Sequence, residues 1–245
     1  MIADPHSDAS AGAARQLVVA LDGPGSSGKS TVGAEAARRI RYRFCDTGLL
    51  YRAVTWLALR RGVAPADVAG LVPLAAEVSL VPDASGRLLQ VEVGGRDVTA
   101  EAGSAAVDRA VSDYSKVPEL RAALVPRQRA LAADGGIIMA GRDIGTVILP
   151  DADVKIYLNA SAEERARRRA AQRRMAQRRD IDASEMERIL DDLRRRDAID
   201  SSRATAPLRT APDAVVVNTD GNTFEETVRA VVEAIRAAQG AGGGR

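Results

Sequence analysis

The 245-residue chain is short of several things, and each shortage excludes something. Aromatic residues make up 3% of it, so any core must be built from Ala, Val, Leu and Ile. There is one cysteine, Cys45, which rules out an intramolecular disulfide and fits a reducing compartment, the cytoplasm. The one histidine is His6, near the N-terminus, so the folded body is expected to do without imidazole acid–base chemistry or histidine-held metal. The formal net charge of +2 is too near neutral to mark a nucleic-acid partner. No apolar run reaches the roughly 18 residues of a membrane span, and no segment has the apolar centre of a signal peptide. Lysine is also scarce, occurring only at 29, 116 and 155; the rest of the 35 basic residues are arginine.

What is present is 46% hydrophobic and 28% charged residues, enough for a buried core with a solvated surface. The length argues for one domain. Residues 1–14 and 240–245 carry no apolar period and are expected to be tails. Between them, short apolar runs alternate with helical stretches. Leu17-Val18-Val19-Ala20-Leu21 stops at the turn cluster Asp22-Gly23-Pro24-Gly25 and reads as a buried strand. A helix over 28–39 follows, then a short strand over 43–45. Asp46 or Thr47 is placed to cap the next helix, which runs to about residue 61. Further strands are expected at 137–140, 154–158 and 214–217, with helices at 118–133, 161–178, 184–199 and 223–238. This alternation predicts an α/β fold, a parallel sheet covered on both faces. Residues 77–99 break the pattern. There Val78, Leu80, Val91 and Val93 alternate with polar residues between turn signals, which predicts a small antiparallel insert.

The segment Gly23-Pro24-Gly25-Ser26-Ser27-Gly28-Lys29-Ser30-Thr31 fits a phosphate-binding loop, with a strand before it and a helix after it. Glycines let backbone N–H groups turn inward, and the helix N-terminus adds positive potential. Lys29 would reach the β- and γ-phosphates, and the Ser30 hydroxyl would ligate Mg²⁺. Such a loop specifies a nucleotide and not a reaction. No lysine follows an asparagine, so the base-reading motif of a GTPase is missing, and a small kinase is left as the leading class.

Residues 165–179 contain eight arginines and no acid. Arg165, Arg168, Arg169 and Gln172 share one helical face. Three readings stand for this stretch. It is a solvated helix, an RNA-binding arm without the usual aromatic residues, or a lid that brings cations to a triphosphate. The phosphate loop favours the lid.

Four further motifs carry a resemblance: Leu21-Asp22-Gly23-Pro24, Asp46-Thr47-Gly48 with Tyr51-Arg52, Gly141-Arg142-Asp143-Ile144-Gly145-Thr146, and Arg196-Asp197 with Asp200 and Arg203. In this order, together with the phosphate loop, they make the chain resemble the bacterial cytidylate kinases over roughly residues 17–235. The resemblance implies a P-loop nucleoside monophosphate kinase, a three-layer αβα domain with a five-stranded parallel sheet. It implies one domain over 15–239, with core segments 15–63, 104–160 and 205–239, the insert at about 64–103 and an Arg-rich lid at about 161–204. ATP would donate its γ-phosphoryl group, with Mg²⁺, to CMP or dCMP; the alternatives are a phosphate-loop kinase for another small acceptor such as UMP, or a nucleotide-dependent RNA-binding protein. The enzyme would act as a monomer on small molecules, with no nucleic-acid or membrane partner.

Carried over by position, the resemblance puts Thr47, Arg52, Arg142 and Arg203 around the monophosphate. Ser112, Arg121 and Asp143 fall around cytosine, and Arg196 and Asp200 at the ribose. Lys29, Arg142, Arg196, Arg165 and Arg169 would serve transfer. Read as structural residues alone, Arg52 and Arg142 would pair with Asp46 or Asp143, and Asp200 with Arg203 at i, i+3. The family commonly carries an acid just before Gly141-Arg142-Asp143. Here the residue is Ala140, which puts the metal's surroundings in question.

Overall fold

The structure is a computed structural model that describes residues 16–242. The expected tail at 1–14, with His6, and residues 243–245 lie outside the described residues. The chain opens with β1 (Val18–Asp22), α1 (Lys29–Ile40), β2 (Arg43–Asp46) and α2 (Gly48–Arg61). Two short helices, α3 (Val68–Leu71) and α4 (Leu74–Glu77), lead into the insert, β3 (Val78–Val81), β4 (Gln90–Val93) and β5 (Arg96–Asp97). The chain returns through α5 (Thr99–Ala102), α6 (Ala105–Ser115) and α7 (Pro118–Ala132) to β6 (Ile137–Gly141) and a π-helical turn at Ile144–Ile148. It ends with β7 (Val154–Asn159), α8 (Ala162–Gln177), α9 (Ala183–Ser201), β8 (Val215–Asn218) and α10 (Phe224–Gly242).

The expected five-stranded parallel sheet is present, in the order β2-β6-β1-β7-β8. Because side chains alternate along a strand, neighbours in β1 and β6 serve opposite faces. Val19, Leu21, Ile138 and Ala140 join the core under α1 and α10, while Ala20, Ile137 and Met139 face Cys45, Ile144 and Ile148. Gly33 lets α1 sit close on the sheet. A Cβ there would come 2.5 Å from the Phe44 ring and 2.8 Å from Leu21. Cys45 is fully buried in β2.

The insert is antiparallel as expected, with Val78 opposite Val93 and Leu80 opposite Val91. It has no separate core. Val78, Val91 and Val98 share one apolar cluster with Leu50, Val54 and Leu57 of α2 and Leu120 and Leu124 of α7. Leu88 also bridges to Cys45 at the free edge of β2, with its N–H on the Phe44 carbonyl at 2.8 Å.

Two details differ from the sequence reading, and the choice it leaves between Asp46 and Thr47 falls to Asp46. Helices α3 to α6 fill stretches for which no helix is expected. Here α3, α4 and α5, of four residues each, have a period too brief to read, while α6, of 11 residues, packs Val107, Val111 and Tyr114 inward yet is not read as a helix from the sequence. Helix α10 continues to Gly242, into the stretch expected as tail. At the start of α2, Thr47 makes no capping bond through its side chain; Asp46 Oδ1 accepts the Gly48 N–H at 3.0 Å instead.

Candidate active site

The C-terminal ends of β1, β2 and β6 converge on a cavity of about 260 Å³. The loop after β1 forms one wall. Ser26 and Gly28 both take positive φ, 60° and 98°, which turns the loop's amides toward a common centre. Gly25, Ser26, Ser27, Gly28, Lys29, Ser30 and Thr31 all line the cavity. Gly23 and Pro24 lie beneath it, and their carbonyls accept the Lys29 ammonium at 2.8 and 2.7 Å. Burial, with the Arg142 guanidinium nearby, pushes the Lys29 ammonium below its ordinary pKa, against the pull of Asp46, Asp22 and Asp200.

Ser30 Oγ donates to Asp46 Oδ2 at 2.5 Å. The β2–β6 register sets Asp46 directly beside Ala140, so a carboxylate stands one strand away from that position. Asp22, at the end of β1, accepts the N–H groups of Ile144 and Gly145 at 2.8 and 2.7 Å and so ties the turn after β6 to the phosphate loop. Burial raises its carboxyl to about 6, although those two N–H bonds pull the other way.

The opposite wall is guanidinium. Arg52, Arg121, Arg142, Arg169, Arg196 and Arg203 all line the cavity. Each is held by a carboxylate. Asp108 of α6 receives Arg52 at 2.7 Å, Arg196 at 3.0 Å, and Arg169. Asp200 receives Arg142 Nε at 3.0 Å, and Arg203. Asp143 receives Arg121, a pair whose side chains are both buried. Arg121 also donates to the Ser115 carbonyl and lies 5.2 Å over the Tyr51 ring. Thr47, Ser112, Asp143 and Asp200 complete the lining among the sequence candidates. Thr47 Oγ1 donates to the Ala140 carbonyl at 2.9 Å, which ties α2 to β6.

The arm formed by α8 and α9 packs through Ala166, Ala170, Ile189 and Leu193. Ser161 and Asp182 cap its two helices by accepting the Glu164 and Glu185 N–H groups. The shared face of α8 divides. Arg169 and Gln172 reach the cavity. Arg168 binds Thr219 and the Ser27 carbonyl. Arg165 is buried, donating to Asp197 at 2.5 Å and to the Gly25 carbonyl at 3.2 Å, and it does not line the cavity.

The expected Asp200–Arg203 pair is present. The structural pairings expected for Arg52 and Arg142 are not: Arg52 goes to Asp108 and Arg142 to Asp200. The distance of these partners along the chain, 56 and 58 residues, explains why local pattern points to neither. Asp108, Asp22 and Asp197 are carboxylates around the site that sequence reasoning gives no role, and Asp46, read there as a cap or an arginine partner, accepts from Ser30. Asp22 and Asp197 sit inside quoted motifs and could have been weighed, but Asp108 has no local signal.

The profile of the cytidylate kinase family matches residues 19–237. A cytidylate kinase of Geobacillus thermodenitrificans is 46% identical over 223 residues, covering 90% of this chain and 97% of its own. One from Nocardia farcinica is 46% identical over 213 residues, covering 86% and 90%. One from Pelotomaculum thermopropionicum is 44% identical over 225 residues, covering 89% and 96%.

Proposed function

The chain belongs to the cytidylate kinase family, and from that premise we propose how its cavity moves the γ-phosphoryl group of ATP onto CMP, and onto dCMP as well. The observation that carries the reading is that one cavity is lined on one side by the phosphate loop and on the other by the arginine ring and Asp143.

ATP lays its phosphates on the loop amides. Lys29 leaves the Gly23 and Pro24 carbonyls to follow the γ-phosphoryl group. CMP sets its phosphate among Arg52, Arg142, Arg203 and Thr47, with Arg196 and Asp200 at the ribose. Its phosphate is itself the nucleophile and is largely dianionic at neutral pH. No general base is needed, and among the described residues there is no histidine to act as one. The work is electrostatic: two anions are brought together and the charge that spreads in the transition state is stabilised. Arginine suits this because its fork makes paired bonds to phosphate and keeps its charge. Arg169 and Arg196 enter from the arm, which excludes water and so protects ATP from hydrolysis. Arg165, buried on Asp197 and Gly25, serves by fixing the arm to the loop.

The residues fit Mg²⁺. Ser30 and Asp46 offer a hard oxygen pair, and among the described residues no group of three or more His, Cys, Asp or Glu forms a ready-made cage. Mg²⁺ commonly takes one or two protein ligands with substrate phosphates. Ser30 would hold it, with Asp46 beside it. When bound, it would neutralise charge on the β- and γ-phosphates.

Cytosine is read by Asp143, which accepts from the N4 amine, and by Arg121, which donates to N3 and O2, with Ser112 beside them. Uracil would meet Asp143 with a carbonyl and Arg121 with an N–H. The enzyme works as a monomer in the cytoplasm. No nucleic-acid partner is needed, since most arm arginines are already paired with carboxylates. A coupled ADP-release assay across CMP, dCMP, UMP, AMP and GMP, with water as blank, tests the reading. Rapid turnover with CMP and dCMP alone is expected, and equal use of UMP would overturn it.

A further inference from the structure

Asp108 is the one carboxylate among the described residues that gathers three arginines of the cavity wall from three separate helices: Arg52 from α2, Arg169 from α8 and Arg196 from α9. It does not line the main cavity. It lines a second one, of about 390 Å³, on the far side of Arg169 and Arg196. The arginines therefore stand between Asp108 and the place of the phosphates. Asp108 takes one terminal nitrogen from each of Arg52, Arg169 and Arg196, and the Arg196 Nε is buried with no partner. Burial pushes the Asp108 carboxyl up, but Arg196, Arg52 and Arg169 outweigh it and hold it well below the usual carboxylate range. It is thus charged at any working pH, and one negative charge faces three positive ones.

We propose that Asp108 is a positioning residue: from behind, it holds Arg52, Arg169 and Arg196 together in the substrate-free enzyme, so that the arm is drawn against α2 with its free guanidinium nitrogens facing the phosphates. The excess positive charge left over suits an incoming phosphate dianion. Without the carboxylate, three guanidiniums at close quarters repel one another, and the α8–α9 arm loses its only ion pairs to α6 among the described residues. The inference rests on the reading that these arginines face substrate phosphate.

The test compares wild type with Asp108→Asn, which keeps the shape and removes the charge, and with Asp108→Glu, which keeps the charge. Trypsin cleavage within residues 165–180 of the ligand-free protein is expected to quicken several-fold in Asp108→Asn. Its kcat with CMP should fall about tenfold, as for catalytic groups slightly misplaced. KM for CMP should move by less than about threefold, because lost ordering and lost negative charge act in opposite directions. Asp108→Glu should recover most of the rate. A purely structural role would lower melting temperature in both variants and leave no such rescue. Unchanged cleavage, or kcat within twofold of wild type in Asp108→Asn, overturns the proposal. Should Asp108→Asn not fold, Asp108→Ser takes its place. If wild type fails to phosphorylate CMP, the functional reading falls. The cleavage comparison needs no substrate and judges the clamp by itself.

Discussion

The two walls of the cavity are made of different material. The phosphate-loop wall is mostly backbone, positioned by residues adjacent in sequence, with Lys29 as its single cation. The facing wall is side chain, with six guanidiniums held by Asp108, Asp200 and Asp143. Backbone amides are fixed once strand, turn and helix form. Guanidiniums on long side chains are fixed only by what they pair with, and those pairs close only after distant helices have packed. One wall therefore comes from local sequence and the other from tertiary structure.

The largest expected effect is on the loop wall. Lys29→Ala removes the cation that follows the γ-phosphoryl group and should cost about 3–4 kcal/mol, roughly a hundred- to thousandfold in kcat. Stopped turnover assays with CMP check this, and near-normal rates would sink the assignment of the loop. On the facing wall, Asp143→Asn offers a rotatable amide where the carboxylate stood. It should lower kcat/KM for CMP about a hundredfold and narrow a CMP-to-UMP preference of roughly a thousandfold. An unchanged ratio would remove Asp143 from base reading.

Asp200→Asn sharpens the comparison by removing the carboxylate that holds Arg142 and Arg203 and that also lines the cavity at the ribose position. It leaves Arg142 and Arg203 without their charged partner in a buried place, so stability should drop by roughly 3 kcal/mol. Chemical denaturation measures that, and kcat should fall with it by about tenfold. If stability is unmoved, the pairs are not what fixes this wall.

The smallest expected effect concerns Asp22, where the walls meet. Its folded pKa of about 6 lies above the model-compound value of 3.8. The group therefore favours the fold fully below the unfolded value, and this contribution is lost as pH rises through about 6. From pH 7 to pH 5 the stability of wild type relative to Asp22→Asn should rise by about 1 kcal/mol, or about 3 °C in Tm. A difference that shrinks over that range contradicts the assignment.

How much was legible follows from the same contrast. Lys29, Ser30 and their glycines could be read because strand, loop and helix are contiguous. Strands β1 and β6 could be read because buried parallel strands are continuous apolar runs, and the shorter β2 and the more exposed β8 could be read from their place in the alternation of strand and helix. The arginines Arg52, Arg142, Arg196 and Arg203 were named through the resemblance, and all four reach the cavity. Their holders were not legible. Asp108 lies in a helix that sequence reading leaves blank, and nothing within a few residues marks it as the partner of Arg52, Arg169 and Arg196. Arg165 shows the reverse error of inference: its spacing on α8 puts it with Arg169, yet Asp197 draws it into the interior.

The buried strand position of Cys45 has a practical consequence. Burial, helped by Asp46 and opposed by Arg43, pushes its thiol up to about 12, so at neutral pH almost none of it is the thiolate that alkylating reagents attack. The chain has no other sulfhydryl. A cysteine placed at Met175, which is 82% exposed on α8, would be the sole point of attachment for a maleimide dye or spin label. The native background would not need to be cleared by further substitution, and the arm's distance from the sheet could be followed in an otherwise unaltered enzyme.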